Sequence, residues 1–579
     1  MKKILAKGTG LTLLSLLGWA CSNEFLDVPP TNQLQITNLN TKSGIEGLLI
    51  SSYAQLNGRG YSQTASSTNW VYGSILGGDA NKGSNAGDFN AITPIMRFEV
   101  QSSNNEINQR WLAMYEGISR ANSSLRALTT ADATVSASDK LRIGGEARFL
   151  RGHYYFDLKR TFNKVPYVDE TVDYAAGIAD VKNDADIWPK IEADFKYAYD
   201  NLPETQSEAG RANKWAAATY LAKTYLYQKK YAEAKTLFDL VIANGKTTNG
   251  KKYALVPQYR NVFSFDNENN EEAIFSTQNA ANTGSSDAAS GDLNLNWPYN
   301  TGPSGPVGCC GFFQPSFELA NSFRTNANGL PLLDGSYNTG ANQLVTDQGL
   351  ESSQAFTPDA GNLDPRLDQS VGRRGIPYLD WQVFPGKDWI RDQAFGGPYA
   401  PKKYIYTRAQ ESRAADVSNW TKGWTGLNIL LIRYADVLLM AAEAEVEVGS
   451  LEKARDYVNQ VRRRAANADG YVKTTAGANA AKYVISEYPT SAFASKDAAR
   501  NAVYFERKLE LSGEGHRFFD LVRWGTAATT INAYLTYEGA KLTNALGGAK
   551  FTAGKSEYMP IPLTQLDLQK GVLTQNPGY

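Results

Sequence analysis

The sequence predicts a mainly α-helical protein, a scaffold of tetratricopeptide-like helix-turn-helix pairs broken by a large loop-rich insertion. Three observations carry this expectation. Apolar residues recur at helical spacing from about Thr41 to Asn244. A small-residue spacing suited to paired antiparallel helices occurs twice, once on each side of the middle of the chain. Residues 250–425 lose this periodicity and collect Gly, Pro and Asn in runs such as Ala280–Gly291 and Asn296–Gly311.

The chain begins with Met1–Ala20 (MKKILAKGTGLTLLSLLGWA), in which Lys2, Lys3 and Lys7 precede the apolar stretch Leu11–Leu17. This is the pattern of an export signal, too short to span a bilayer, and residues 1–20 are set apart from the fold. Cys21 directly after Ala20 resembles the lipobox of bacterial lipoproteins, whose cysteine becomes the lipidated N-terminus. Gly18 and Trp19 depart from that pattern, and an ordinary secretory signal with an incidental Cys is the other reading. Loss of the three lysines leaves 56 basic against 59 acidic residues, a net charge of −3. Acyl chains such as palmitate on Cys21 would tether the protein to a membrane, and residues 21–40, with Pro29–Pro30, read as the spacer.

Residues 41–579 read as one domain, with N-terminal helices over 41–249, the loop-rich region 250–425, C-terminal helices over 426–525 and a cap over 526–579. Trp111, Tyr115, Ile118, Asn122 and Leu125 form one apolar stripe, and Ala147, Leu150, Tyr154 and Leu158 a second. A third helix is expected to start with Asp186 as N-cap, to accept Pro189 in its first turn and to stop before Pro203. Leu221, Ala222, Tyr225, Ala234 and Phe238 match tetratricopeptide positions, and Ala441, Ala442, Ala454 and Val458 repeat them, with Gly449 at the turn. Ala222 and Ala234, like Ala442 and Ala454, stand twelve apart, so two helices can approach closely at each pair. A further helix is expected over Pro315–Phe323.

Composition narrows the functions. With 59 Lys+Arg against 59 Asp+Glu, the chain lacks the basic footprint of a nucleic-acid binder, and no nucleic-acid partner is expected. The two His, His153 and His516, are far apart and read as structural; no metal site and no cofactor is expected. Gly245-Lys246-Thr247 resembles the end of a phosphate loop, but Leu240 stands where its first Gly belongs. No Gly-x-Ser-x-Gly elbow occurs. Asp266–Glu272 lacks the central Gly of a calcium loop and reads as a solvated turn.

Six blocks carry a resemblance: Trp111–Asn122 (WLAMYEGISRAN), Glu146–Pro166 (EARFLRGHYYFDLKRTFNKVP), Asp364–Leu367 (DPRL), Arg433–Glu445 (RYADVLLMAAEAE), Glu506–Trp524 (ERKLELSGEGHRFFDLVRW) and Gln575–Tyr579 (QNPGY). Together they resemble the signature blocks of SusD/RagB-type outer-membrane lipoproteins of Bacteroidota. The resemblance implies a tetratricopeptide-like scaffold at the cell surface, lipid-anchored over a SusC-like TonB-dependent barrel. It further implies capture and delivery of a glycan or other nutrient, without catalysis.

A glycan site needs aromatic planes for C–H faces and a few fixed polar groups, and loops on a rigid scaffold supply both. Asn69–Lys82 offers Trp70, Tyr72, Asp79 and Asn81; the competing reading makes Trp70 a core residue. Asn294–Phe313 offers Trp297 and Tyr299, while Phe312 and Phe313 read as core. Cys309 and Cys310, the two remaining thiols in an oxidising compartment, read either as a vicinal disulfide whose rigid plate meets a sugar or as two free thiols. Of Tyr378, Trp381, Trp389, Tyr399 and Tyr404, with Arg373 and Arg374 beside them, Trp381 is the expected contact. Two other functions fit the residues: a surface glycosidase using an Asp/Glu pair, and a tetratricopeptide adaptor that binds peptide or protein.

Overall fold

The computed structural model describes residues 39–58, 64–172, 180–306 and 309–579. The export segment, Cys21 and the spacer as far as residue 38 lie outside the described residues. The fold is mainly α-helical, as expected. After α1 (Lys42–Ala54), the array runs through α2 (Asn105–Thr129), α3 (Ala137–Phe162), α4 (Trp188–Asn201), α5 (Lys214–Tyr227) and α6 (Tyr231–Asn244), each packed on the one before it. It continues with α7 (Tyr434–Val448), α8 (Leu451–Ala465) and α9 (Lys496–Glu510), then turns through α10 (Arg517–Trp524) and α11 (Ala527–Lys541).

Local chemistry explains the helix starts. Side chains of Asn104, Ser136, Asn213, Ser450 and Ser495 each accept a first-turn N–H at the head of α2, α3, α5, α8 and α9. At α4 the capping position falls on Ile187, one residue beyond Asp186. Asp186 still accepts the Trp188 N–H at 3.3 Å, so the acid supplies the polar partner from just outside. Trp111, Ile118, Asn122 and Leu125 are buried on α2, and Ala147, Leu150, Tyr154 and Leu158 on α3.

The two tetratricopeptide-like pairs, α5–α6 and α7–α8, are neighbours in space. Helix α6 packs directly on α7 although the insertion separates them in sequence. Ala222, Ala234, Ala442 and Ala454 are all fully buried, as close helix approach requires. Ion pairs stitch the seam, Lys235 to Glu445 at 3.1 Å and Lys453 to Asp239 at 2.7 Å.

The insertion leaves and re-enters through a two-stranded neck. Strand β2 (Ala273–Thr277) pairs antiparallel with β4 (Ile429–Arg433), Ala273 opposite Arg433 and Thr277 opposite Ile429. At the neck Arg433 meets Glu272 at 2.6 Å, Glu510 at 2.7 Å and Glu514 at 2.7 Å. Arg366 bonds Asp364, Glu506 and Glu510 at 2.7, 2.6 and 3.0 Å, and Arg464 joins Glu272 at 3.0 Å and also bonds Glu510. The blocks Asp364–Leu367, Arg433–Glu445 and Glu506–Trp524 therefore converge on one buried ionic joint. Burial pushes the Glu510 carboxyl up, but Arg464, Arg433 and Arg366 together hold it well below the usual carboxylate range.

Beyond the neck the insertion has its own aromatic core of Trp297, Tyr378, Trp381, Phe384, Trp389 and Tyr406 with aliphatic neighbours. Trp297 lies 4.7 Å from Tyr406, and Trp389 meets Tyr378 edge-on at 5.6 Å. The expected helix over Pro315–Phe323 is shorter, Phe317–Ser322, because Phe312–Pro315 forms strand β3. Ser316 marks the change, its hydroxyl accepting the Leu319 N–H at 2.9 Å.

Candidate functional site

The two loop clusters meet through a short ladder. Strand β1 (Ala80–Gly83) pairs antiparallel with β3, with Ala80 opposite Pro315, Asn81 opposite Gln314 and Gly83 opposite Phe312. Asn69–Lys82 and Asn294–Phe313 thus become adjacent walls. Gly83 and Gly311 allow this approach: both have positive φ, and a Cβ on Gly83 would stand 2.5 Å from the Gly311 carbonyl oxygen. The Gly311 carbonyl accepts the Ser84 N–H at 2.5 Å.

Most of the expected contact residues lie beneath this surface. Trp70, Tyr72, Asp79, Asn81 and Trp297 are only 1–2% exposed, and Trp381 is 7% exposed. A ring buried to that degree offers no face to a ligand, so direct contact is corrected to support for these six. Trp70 meets Phe313 edge-on at 5.9 Å, and Tyr72 donates to the Glu106 carbonyl at 3.0 Å. Asp79 accepts the Gly513 N–H at 2.9 Å, and burial pushes its carboxyl up to about 6. Asn81 accepts from the Tyr534 hydroxyl at 3.1 Å, and the Trp381 indole donates to the Tyr406 carbonyl at 3.1 Å. The physical reasons are two: Trp70, Tyr72, Asp79 and Asn81 are covered where the first loop packs on the scaffold, whereas Trp297 and Trp381 fill the aromatic core of the insertion itself.

Tyr299 and Cys309 remain at the surface, while Cys310 is as buried as Trp381 and lies beneath them. Tyr299 and Cys309 are half-buried, and Cys310 is 7% exposed. The Cys309 and Cys310 sulfurs are placed together as a vicinal disulfide, and the Cys310 N–H donates to the Leu295 carbonyl at 2.7 Å.

Four residues outside the expected set, Arg391, Ser84, Asp88 and Phe89, join them. The Arg391 guanidinium lies 5.1 Å from the Tyr299 ring centre, donates to the Ser84 hydroxyl at 2.9 Å and pairs with Asp88. Phe89, 37% exposed, meets Phe312 edge-on at 5.8 Å. The Lys82 amine secures the intervening turn by donating to the carbonyls of Asn85, at 2.7 Å, and Asp88; burial lowers it to about 8. Arg391 and Asp88 each stand about 300 residues from their partner in the chain, so no periodic signal links them. A faint signal exists for Phe89, an aromatic among Gly, Asp and Asn in a polar turn.

The backbone here is unusual for L-residues. Ser84, Phe89, Asn300 and Phe313 have φ of 54°, 41°, 50° and 56°. Such conformations are sparsely populated, most of all for bulky side chains, and they cluster at binding surfaces. The arrangement supplies half-exposed ring faces, a disulfide plate and a charge pair whose members still have hydrogen-bonding capacity. Among the described residues no group of three or more His, Cys, Asp or Glu is placed to hold a metal ion. None of the described helices is long and apolar enough to cross a membrane.

Fold and site define a helical-array scaffold that carries a loop-built surface over a two-stranded ladder. The model of the SusD family matches residues 271–579, and a second SusD-like model, described as starch-binding and associating with the outer membrane, matches residues 24–226. The chain belongs to the SusD family. It is 24% identical over 521 residues to SusD-like protein P2 of Formosa agariphila, covering 87% of each chain. A SusD superfamily protein of Bacteroides vulgatus shares the fold with a TM-score of 0.67 at 23% identity, over 93% of this chain and 99% of that one. A laminarin-binding SusD-like protein shares it with a TM-score of 0.65 at 23% identity, over 93% and 100%.

Proposed function

We propose that this protein is a non-catalytic glycan receptor of the outer-membrane surface, anchored through lipid on Cys21. In this reading residues 250–425, with the loop that follows β1, form the ligand-binding region on a single SusD-like domain. The observation that carries it is the juxtaposition of Tyr299 and Phe89 with the polar group of Arg391, Ser84 and Asp88. Sugar rings stack on aromatic faces, while their hydroxyls exchange hydrogen bonds with a few fixed polar groups. The plate formed by Cys309 and Cys310 adds a rigid apolar surface beside Gly311. The starch-binding description of the matching model and the laminarin-binding neighbour support the class of ligand.

Capture is followed, in this reading, by hand-over to a SusC-like TonB-dependent transporter, with the spacer around Pro29–Pro30 permitting travel. The test is affinity electrophoresis of a soluble Ser22–Tyr579 fragment against a panel of polysaccharides. Retardation by one of them, weakened about tenfold or more by Tyr299→Ala (~1.4 kcal/mol), with no new reducing ends, is expected. Retardation by none, or release of reducing ends, overturns the reading.

A further inference from the structure

Behind the β1–β3 ladder lies a partly open cavity of about 40 Å³, mostly apolar in its lining, with Asp79, Asn296, Ser370 and Lys403 as polar residues of its wall. Its polar walls are incompletely bonded. Asp79 spends one carboxylate oxygen on the Gly513 N–H, and the other meets no protein donor. Neither amide atom of Asn296 nor the hydroxyl of Ser370 has a protein partner. All three residues are buried, at 1%, 4% and 7% exposure. Buried carboxyl, amide and hydroxyl groups left unpaired are costly, and native proteins meet them with protein or water.

The lysines of the same wall are already engaged. The Lys402 amine donates to the carbonyls of Asp368 and Pro377 at 2.6 and 2.8 Å. The Lys403 amine donates to the Glu510 carbonyl at 3.0 Å and to the Glu514 carboxylate at 2.6 Å. A water needs roughly 10–15 Å³ of such space and two to four polar partners, so this volume takes about three. We propose that this cavity is a built water site, in which a small cluster bonds Asp79, Asn296 and Ser370 and backs the ladder joining the two loops. Ala80, Phe313 and Pro315 then meet solvent on their inner side as well as neighbours. The inference stands independently of the ligand proposed above.

A crystal structure of the unmodified protein at about 1.8 Å tests it directly. Ordered density within about 3.2 Å of the free Asp79 oxygen, the Asn296 amide and the Ser370 hydroxyl is expected. A dry cavity overturns the proposal, as does an ion at oxygen distances of about 2.3–2.6 Å. Ser370→Val provides a second readout: displacing water from polar partners lowers Tm by roughly 1–3 °C. Filling a dry cavity raises Tm instead, and that outcome overturns the proposal.

Discussion

The helical array and the insertion solve the same problem, burying their chain, by different chemistry. In the array, alanines admit close helix contact and buried arginines are matched to more than one carboxylate, as at Arg507 with Asp436 and Asp520. In the insertion, with short strands and turns, Trp297, Tyr378, Trp389 and Tyr406 fill an irregular space with large rings. Regular elements tolerate small side chains because their backbones already satisfy one another. Irregular loops need bulk to exclude water and spare few rings for a ligand. An aromatic-rich loop is therefore a weaker sign of a binding surface than its composition suggests, and the few rings left at the edge carry the functional reading.

The largest effect that would separate the two regions is expected at the ionic joint. Glu510→Ala takes one buried carboxylate away from Arg433, Arg464 and Arg366 at once, and a loss of about 3–5 kcal/mol in denaturant-derived stability is expected. Trp297→Ala opens the aromatic core of the insertion at a cost of about 3 kcal/mol. Its near-ultraviolet circular dichroism should fall while the helical signal at 222 nm holds. Simultaneous loss of both signals would mean that the insertion is no separate packing unit.

Acid should drive parts of the molecule in opposite directions. Burial lowers His153 on α3 from 6.5 to about 4, so the unfolded chain takes up its proton first as pH falls from 6.5 to 4, and stability is lost over that window. Burial raises Asp79 from 3.8 to about 6 and Asp292 to about 7. The folded state takes up those protons first, so stability is gained as pH falls from 7 to 3.8. Each contribution is on the order of a few kcal/mol at most. Hydrogen exchange corrected for intrinsic rates should show protection falling on α3 and rising around 79 and 292. A uniform change across both would contradict these assignments.

Smaller effects sharpen the contrast. Tyr299→Ala should weaken glycan binding about tenfold, yet change stability by less than about 1 kcal/mol, because its ring is only half-buried. A stability loss as large as that of Trp297→Ala would place Tyr299 in the core. Smallest of all, Asp200→Asn removes the exposed pair with Lys196 on α4, and a change below about 0.5 kcal/mol is expected. Thermal unfolding of the single variant checks this.

The legible part of the sequence was the local part. Stripes on α2 and α3, the paired alanines of α5–α6 and α7–α8, and the loss of period after residue 250 all follow from spacing within a few turns of helix. The six blocks carry the family, although three of them meet at an ionic joint and not at the surface around Tyr299. Composition locates both loop clusters, yet Trp70, Tyr72, Asp79, Asn81 and Trp297 within them, and Trp381 outside them, are buried. Phe89, Asp88 and Arg391 were missed because their relation to Tyr299 exists only after the chain has folded.

By itself the sequence determined the helices, the loss of helical period in the middle of the chain, the family and the presence of an adjacent cysteine pair. Tertiary structure alone decided that α6 packs on α7 across the insertion, that β1 meets β3, and which rings stay exposed. The reason is physical. Helix formation and capping depend on neighbours within a few residues, whereas burial depends on whatever distant segment arrives to cover a side chain. Arg391 reaches Ser84 and Asp88 across some 300 residues, and only the closed fold brings them together.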